Sequence, residues 1–360
     1  MTQFAWVQAR IQTLIVAGAL AVMAIVLAIS GPHLVHLYHT TVAGCAARGD
    51  CPAAISQYLN NDSALRNWLG LLVGAGPGIL GVFWGAPMVA RELEAGTFRL
   101  AWTQSVTRTR WLVMKLSLVG LASMTAAGLL SLIITWWASP LDRAHMDIFN
   151  TFDERDIVPV GFALFAFVLG VIAGLIIGRT LSAMAATLVA LVGARLAVTK
   201  WARPNLISPL HQSNAINAAS IVGYGSTSGP GASSTLQLAP PNMPNAWIYS
   251  TRLVDTSGHG LTAAYLKTAC PAVVNSGGGG GGSPGGLGIG SSSHHTQAPA
   301  SAQDALQQCG AKVAAVFHEV ITYQPAVRFW DFQWIELAIY LAAAGALAGL
   351  CIWWVRRRIT

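Results

Sequence analysis

The sequence predicts an all-α polytopic membrane protein of six transmembrane helices, with a large extracytoplasmic region between the fifth and the sixth. Three observations carry this reading. Of the 360 residues, 54% are hydrophobic and only 10% are charged, whereas a soluble domain has about 25% charged residues. The mean hydropathy of +0.53 holds over the whole chain, which is more apolar matter than one buried core takes up. Charge-free stretches long enough to span a bilayer, about 20 residues each, recur along the sequence.

Five stretches pass that test cleanly: 11–30, 67–90, 116–141, 157–178 and 337–355. A sixth, 181–199, is apolar but contains Arg195. The stretch 204–251 is also free of charge, but it is rich in Asn, Ser, Gly and Pro and reads as an exposed loop. The first span is read as retained, with a short interfacial helix around Phe4 and Trp6. Its apolar region exceeds the 7–15 residues usual for a cleaved signal, although 28–30 has small residues at cleavage spacing.

Orientation follows from Lys and Arg in the short connections. One side collects ten: Arg10, Arg91, Arg99, Arg108, Arg110, Lys115, Arg179, Arg356, Arg357 and Arg358. The other holds four, Arg48, Arg66, Arg143 and Arg155, beside Asp142, Asp147, Asp153, Glu154 and Asp156. Both termini are therefore expected in the cytoplasm of a multi-pass plasma-membrane protein. The formal charge of +7 is then a topology signal, and no nucleic-acid partner is expected.

Of the five cysteines, Cys45, Cys51, Cys270 and Cys309 fall on the outer, oxidising side, and Cys351 lies in the last span. Four cysteines allow three pairings; the most local joins Cys45 to Cys51 and Cys270 to Cys309.

Three segments result: 1–199 with five spans and an inner loop at 91–110, 200–334 outside, and 335–360 with the last span and a basic tail. In the outer segment a linker at 276–296 has ten Gly between 276 and 290. Beyond it, Ala305, Leu306, Cys309, Val313, Val316, Phe317 and Val320 repeat at helical spacing, which predicts a helix of about 20 residues ended by Tyr323-Gln324-Pro325. Phe329, Trp330, Phe332 and Trp334 form an aromatic belt before the last span.

No catalytic, cofactor or metal residue is assigned. Elbow-like and dinucleotide-like glycine patterns at 277–285 are trivial in poly-Gly, with no strand before or helix after them. His294 and His295 lack further ligands at metal spacing, and the acidic segment 142–156 with His145 reads as a solvated outer face. Arg195, costly at the centre of a bilayer, has three readings: snorkelling toward the headgroups near Lys200, pairing between spans with Glu336, or lining a solute path.

The inner loop, RELEAGTFRLAWTQSVTRTR, opens with Arg91, Glu92 and Glu94, turns at Gly96 and Thr97, and reaches Thr107 as a cap for the third span. Its Glu92-Leu93-Glu94-Ala95-Gly96-Thr97 resembles the acidic-Gly-Thr element of permease subunits of the ABC-2 type transporter family, in its actinobacterial form. The sequences from Thr322 to Ala326, Arg328 to Trp330, Phe332 to Glu336 and Trp353 to Arg358 resemble the same family, and only about 213–301 lacks a counterpart.

The resemblance implies a dimer of permeases, homomeric or heteromeric, surrounded by lipid. Each would dock on an ATP-binding cassette subunit through a coupling helix that includes Arg91, Glu92, Glu94, Gly96 and Thr97. No G-x-x-x-x-G-K-[ST] occurs here, so ATP and Mg are expected on the partner and this chain is not expected to be an enzyme. In the family the second and fifth spans line the path. Gly74, Gly76, Gly78, Gly81, Trp84, Met184, Thr187 and Arg195 then suit export of an amphipathic or lipid-like cargo. The alternative is a sensor or envelope-assembly scaffold that uses the outer region without transport.

Overall fold

The computed structural model describes residues 2–45, 54, 57–58, 63–96, 107–143, 148–217, 221–226, 234–238, 241, 243, 245–276 and 300–358. Two compact units result: residues 1–208 with 325–360, and Pro209–Gln324.

Among the described residues the first unit is a bundle of six long helices: α1 (Thr2–Leu37), α2 (Ser63–Glu94), α3 (Arg108–Arg143), α4 (Val158–Ile177), α5 (Thr180–Ala197) and, after the second unit, α9 (Phe329–Arg358). Among the described residues, five of these helices are long and apolar enough to cross a membrane: α1, α3, α4, α5 and α9. Expected as the second span, α2 is 32 residues long but falls outside that set.

α2 packs closely on α4. Gly81 and Gly85 on α2, four apart, face Ala166 and Phe167 of α4; Gly170 and Gly174 of α4, also four apart, face Ala86. A Cβ on Gly170 would lie 2.8 Å from the Ala86 nitrogen, and one on Gly174 would lie 2.8 Å from the Ala86 oxygen. In lipid, where apolar side chains gain nothing by leaving the solvent, such small-residue seams are what let helices associate. α4 is accordingly the central helix, buried along most of its length from Val158 to Leu175. It ends at Gly178, whose φ of +67° is accessible to glycine.

α1 runs without a break from the expected interfacial segment into the span and packs on α3. Leu27 and Leu34 share a core with Leu130, Ile134 and Trp137, and the Trp137 indole donates to Ser30 Oγ at 3.0 Å.

The second unit corrects the all-α expectation. It contains β1 (Leu210–Ala215), β2 (Ile221–Ser226), β3 (Ser234–Leu238), β4 (Trp247–Asp255), α6 (Ala263–Ala269), α7 (Pro271–Ser276), α8 (Ala300–Ala314) and β5 (Phe317–Gln324). An antiparallel sheet runs β1-β5-β4, and β2 pairs with β3. The expected loop at 204–251 therefore contains β1, β2, β3 and the start of β4. Its partner for β1 and β4 is β5, roughly 70 to 110 residues later, which local composition cannot reveal.

The expected helix beyond Ser301 ends at Ala314, and the run from Phe317 to Gln324 is the central strand. Its β-branched and aromatic residues suit a pleated surface paired on both sides, and in that setting the helical spacing of Val316, Phe317 and Val320 was coincidental. Leu253, Leu266, Val273, Val313 and Phe317 form the core around a disulfide between Cys270 and Cys309, whose Cα atoms are 5.2 Å apart. Cys45 is also disulfide-bonded, while its expected partner, Cys51, lies outside the described residues. The Gly-rich stretch 277–299 lies outside them too.

Candidate functional site

At its carboxyl end α2 gives way to a turn at Ala95 and Gly96, the glycine at φ +67°. Gly96 is exposed and a Cβ there would meet nothing, so the glycine is required by backbone conformation alone. Two residues apart on a helix, Glu92 and Glu94 point in divergent directions, and each finds a different neighbour. Glu92 forms an ion pair with Lys115 of α3, whose ammonium also lies 4.4 Å from the centre of the Trp111 ring.

Glu94 reaches α5. One carboxylate oxygen accepts from the Thr180 amide at 3.0 Å and the other from the Thr180 hydroxyl at 2.6 Å. Those bonds, chiefly the hydroxyl's, hold the Glu94 carboxyl below the usual carboxylate range, so it is ionised at neutral pH. Arg179, at the N-cap of α5, contributes no side-chain cap, and Glu94 fills that role from another helix.

Of the residues expected to meet a partner, Arg91 is exposed beside this turn, while Glu92 and Glu94 are engaged within the chain. Thr97 and the rest of the loop to Val106 lie outside the described residues. Thr107 directly precedes α3, and its carbonyl accepts from Trp111 at 3.1 Å.

A second polar constellation lies at the opposite end of α4. Asp153, in the connection from α3 to α4, is held by Arg203, in the helical extension of α5, and by Arg195 of α5 at 3.1 Å. Arg203 also grips Glu336 of α9, with Nη2 donating to Oε2 at 3.0 Å, and its guanidinium lies 4.4 Å from the Phe152 ring centre. Gln333 of α9, fully buried, accepts from the amides of Ile157 (3.3 Å) and Val158 (3.0 Å) and donates to the Phe152 carbonyl at 3.1 Å. It thereby satisfies the first orphan donors of α4, a helix with no side-chain cap of its own.

This geometry corrects two expectations. Arg195 pairs with Asp153 and packs over Phe162, and the arginine that meets Glu336 is Arg203. The described part of the acidic segment is not a solvated face, since Phe149 and Phe152 are buried against Phe329, and Arg155 is only 4% exposed. Charged residues survive there because each takes an opposite charge with it. For Glu154 the nearby Arg195 and Arg155 do not offset the burial. It faces Gly74 of α2, and burial, then the neighbouring Asp153, push its carboxyl up to about 7.

Several residues expected to line a path are taken up in packing instead. Gly78 abuts Leu191 and Phe162, Gly81 abuts Ala166, Trp84 is buried, and Thr187 is buried with its hydroxyl on the Ala183 carbonyl at 2.6 Å. Thr180 and Arg203 were not singled out from sequence, and Lys115, Asp153 and Gln333 entered only as topology or resemblance residues. A polar residue at each span boundary was the available signal. Among the described residues, no three His, Cys, Asp or Glu side chains gather to hold a metal ion.

With both ends of the bundle described, comparison with known families places the chain. A family described as ABC-2 membrane transporter related matches residues 17–203, more than half of the sequence. The chain belongs to that family. It is thus a multi-pass membrane component of an ABC-type transporter, a class of permease that in general works with an ATP-binding partner and is not itself the catalyst. No curated protein and no solved structure matches the chain.

Proposed function

We propose that this chain is the permease subunit of an ATP-driven exporter of amphipathic or lipid-like molecules. It works as one of a pair of permeases, each docked on a separate ATP-binding subunit that carries ATP and Mg. Six spans cross the plasma membrane, α2 being the second, with both termini in the cytoplasm and 200–334 outside.

The observation that carries this reading is the turn at the end of α2. Arg91, Glu94, Ala95 and Gly96 are exposed there, while Glu92 and Glu94 also fix its shape by holding α3 and α5. An exposed, internally braced turn suits an element that receives a load from a soluble partner and passes it to the spans, which then switch between inward and outward access. An apolar cargo is supported by the exposed side of α5, where Leu188, Val189, Val192 and Leu196 present no charge.

Co-expression with the Walker-containing protein encoded nearest to this chain tests the assignment. The two should co-purify, and amphipathic compounds should raise ATP turnover of the complex. Gly96→Val, which forces a branched residue into a left-handed conformation, should leave the chain in the membrane but lower partner recovery severalfold. Undiminished recovery and turnover would reduce the turn to a surface hairpin. External labelling should reach a cysteine placed near Ser292 and miss one placed after Thr360; the reverse pattern overturns the topology.

A further inference from the structure

The inner end of α2 is fastened to α5 in a way that α3 does not share. Ala86 and Ala90 of α2 and Ala183 of α5 form one buried cluster, with Ala173 of α4 and Met184 of α5 packed against it. Gly174 of α4 lets the same part of α2 approach closely. Only Gly178 and Arg179 separate α4 from α5, so the start of α5 has little slack.

Beyond that apolar contact, Glu94 takes both the amide and the hydroxyl of Thr180, closing the first turn of α5 with a carboxylate where the helix dipole favours negative charge. Toward α3 the same end of α2 has the single ion pair from Glu92 to Lys115, and α2 packs far more closely on α4 and α5 than on α3.

From this we infer that Glu94 and Thr180 form the tie through which a push on the end of α2 at 91–96 reaches α5, so that α2 and α5 move as one body past α3. The inference rests on the permease reading and adds to it which helix receives the load. In this view Glu94 is a positioning residue. Its carboxylate need not touch the ATP-binding subunit, because its partners lie on the next helix. Apolar packing alone resists separation but slides easily along the helix axis, whereas a two-pronged hydrogen bond at a helix start also fixes the axial position.

The test uses the full complex with the ATP-binding subunit in phospholipid nanodiscs, spin-labelled at Val113 of α3 and Val189 of α5, both exposed. Double electron–electron resonance compares the distance without nucleotide and with ATP plus vanadate. The wild type should show a shift. Glu94→Ala and Thr180→Val should each lose at least half of it at full partner recovery, and Thr180→Ser, which restores the hydroxyl, should recover it. Partner recovery also reports folding, and Thr180→Val keeps the amide donor, so the smaller change still gives an answer if Glu94→Ala misfolds. A full shift in both variants, or none in an intact wild-type complex, overturns the tie. Failure of the wild-type complex to assemble instead overturns the permease reading, and the two failures are read separately.

Discussion

Arg203 and Glu336 stand 133 residues apart along the chain, yet the guanidinium of one holds the carboxylate of the other through Nε and Nη2. Glu336 is fully buried and Arg203 nearly so. With Asp153 on the far side of the same guanidinium, three segments of the bundle meet on one arginine: the approach to α4, the end of α5 and the start of α9.

Removing one partner of a buried pair strands the other, at a cost of about 3–5 kcal/mol, whereas replacing both with apolar groups is far less harmful. Glu336→Ala, which leaves Arg203 only Asp153, should therefore lower the thermal midpoint of the detergent-solubilised protein, and Arg203→Met with Glu336→Leu, which leaves Asp153 to Arg195, should recover part of the loss. Heat-induced aggregation followed by size-exclusion chromatography measures this. A Glu336→Ala variant as stable as wild type would show that the pair contributes nothing.

Glu154 gives the connection between α3 and α4 a pH dependence whose sign follows from its burial. Its folded-state value of about 7 lies above the ordinary 4.5, so the fold holds the proton more tightly than the unfolded chain does. The resulting stability is fully present below pH 4.5 and is lost as pH rises through 7. The difference amounts to about 3 kcal/mol. Glu154→Gln, neutral at every pH, should flatten the stability profile between pH 4.5 and 7. Equal slopes for the two proteins would remove the assignment.

The glycine seam predicts opposite outcomes for superficially similar changes. Gly170→Val and Gly174→Val place side-chain atoms within 2.8 Å of the α2 backbone and should abolish recovery of monodisperse protein. Gly193→Ala and Gly345→Ala, where a Cβ meets nothing, should be tolerated in monomer stability. Comparable yields of all four variants would mean that α2 and α4 do not pack as described.

The bond between Cys270 and Cys309 closes a loop of 39 residues, which the chain-entropy estimate values at about 4 kcal/mol. Non-reducing peptide mapping of the full-length protein should recover the corresponding crosslinked peptide. Reductant should then speed proteolysis within Pro209–Gln324 and leave the helices of the bundle intact. Finding both cysteines alkylatable without reductant would dismiss the bond.

The composition by itself determined the membrane class and most of the span positions, because a bilayer imposes a length and a charge filter that can be read residue by residue. The turn at Gly96 was legible for a similar local reason: a glycine after an acidic pair at a span exit has few other uses. Which face of each span meets protein was not legible. Lipid is as apolar as leucine, so α4, apolar on every side, carries no periodic mark of its central place. Nor was β5 legible as a strand, since its stability comes from β1 and β4, which are distant in sequence. The same holds for Lys115, Thr180 and Arg203: each looks like an ordinary boundary residue until the fold sets it against an acid from another helix, and only that juxtaposition decides whether its charge or hydroxyl is spent on water or on the structure.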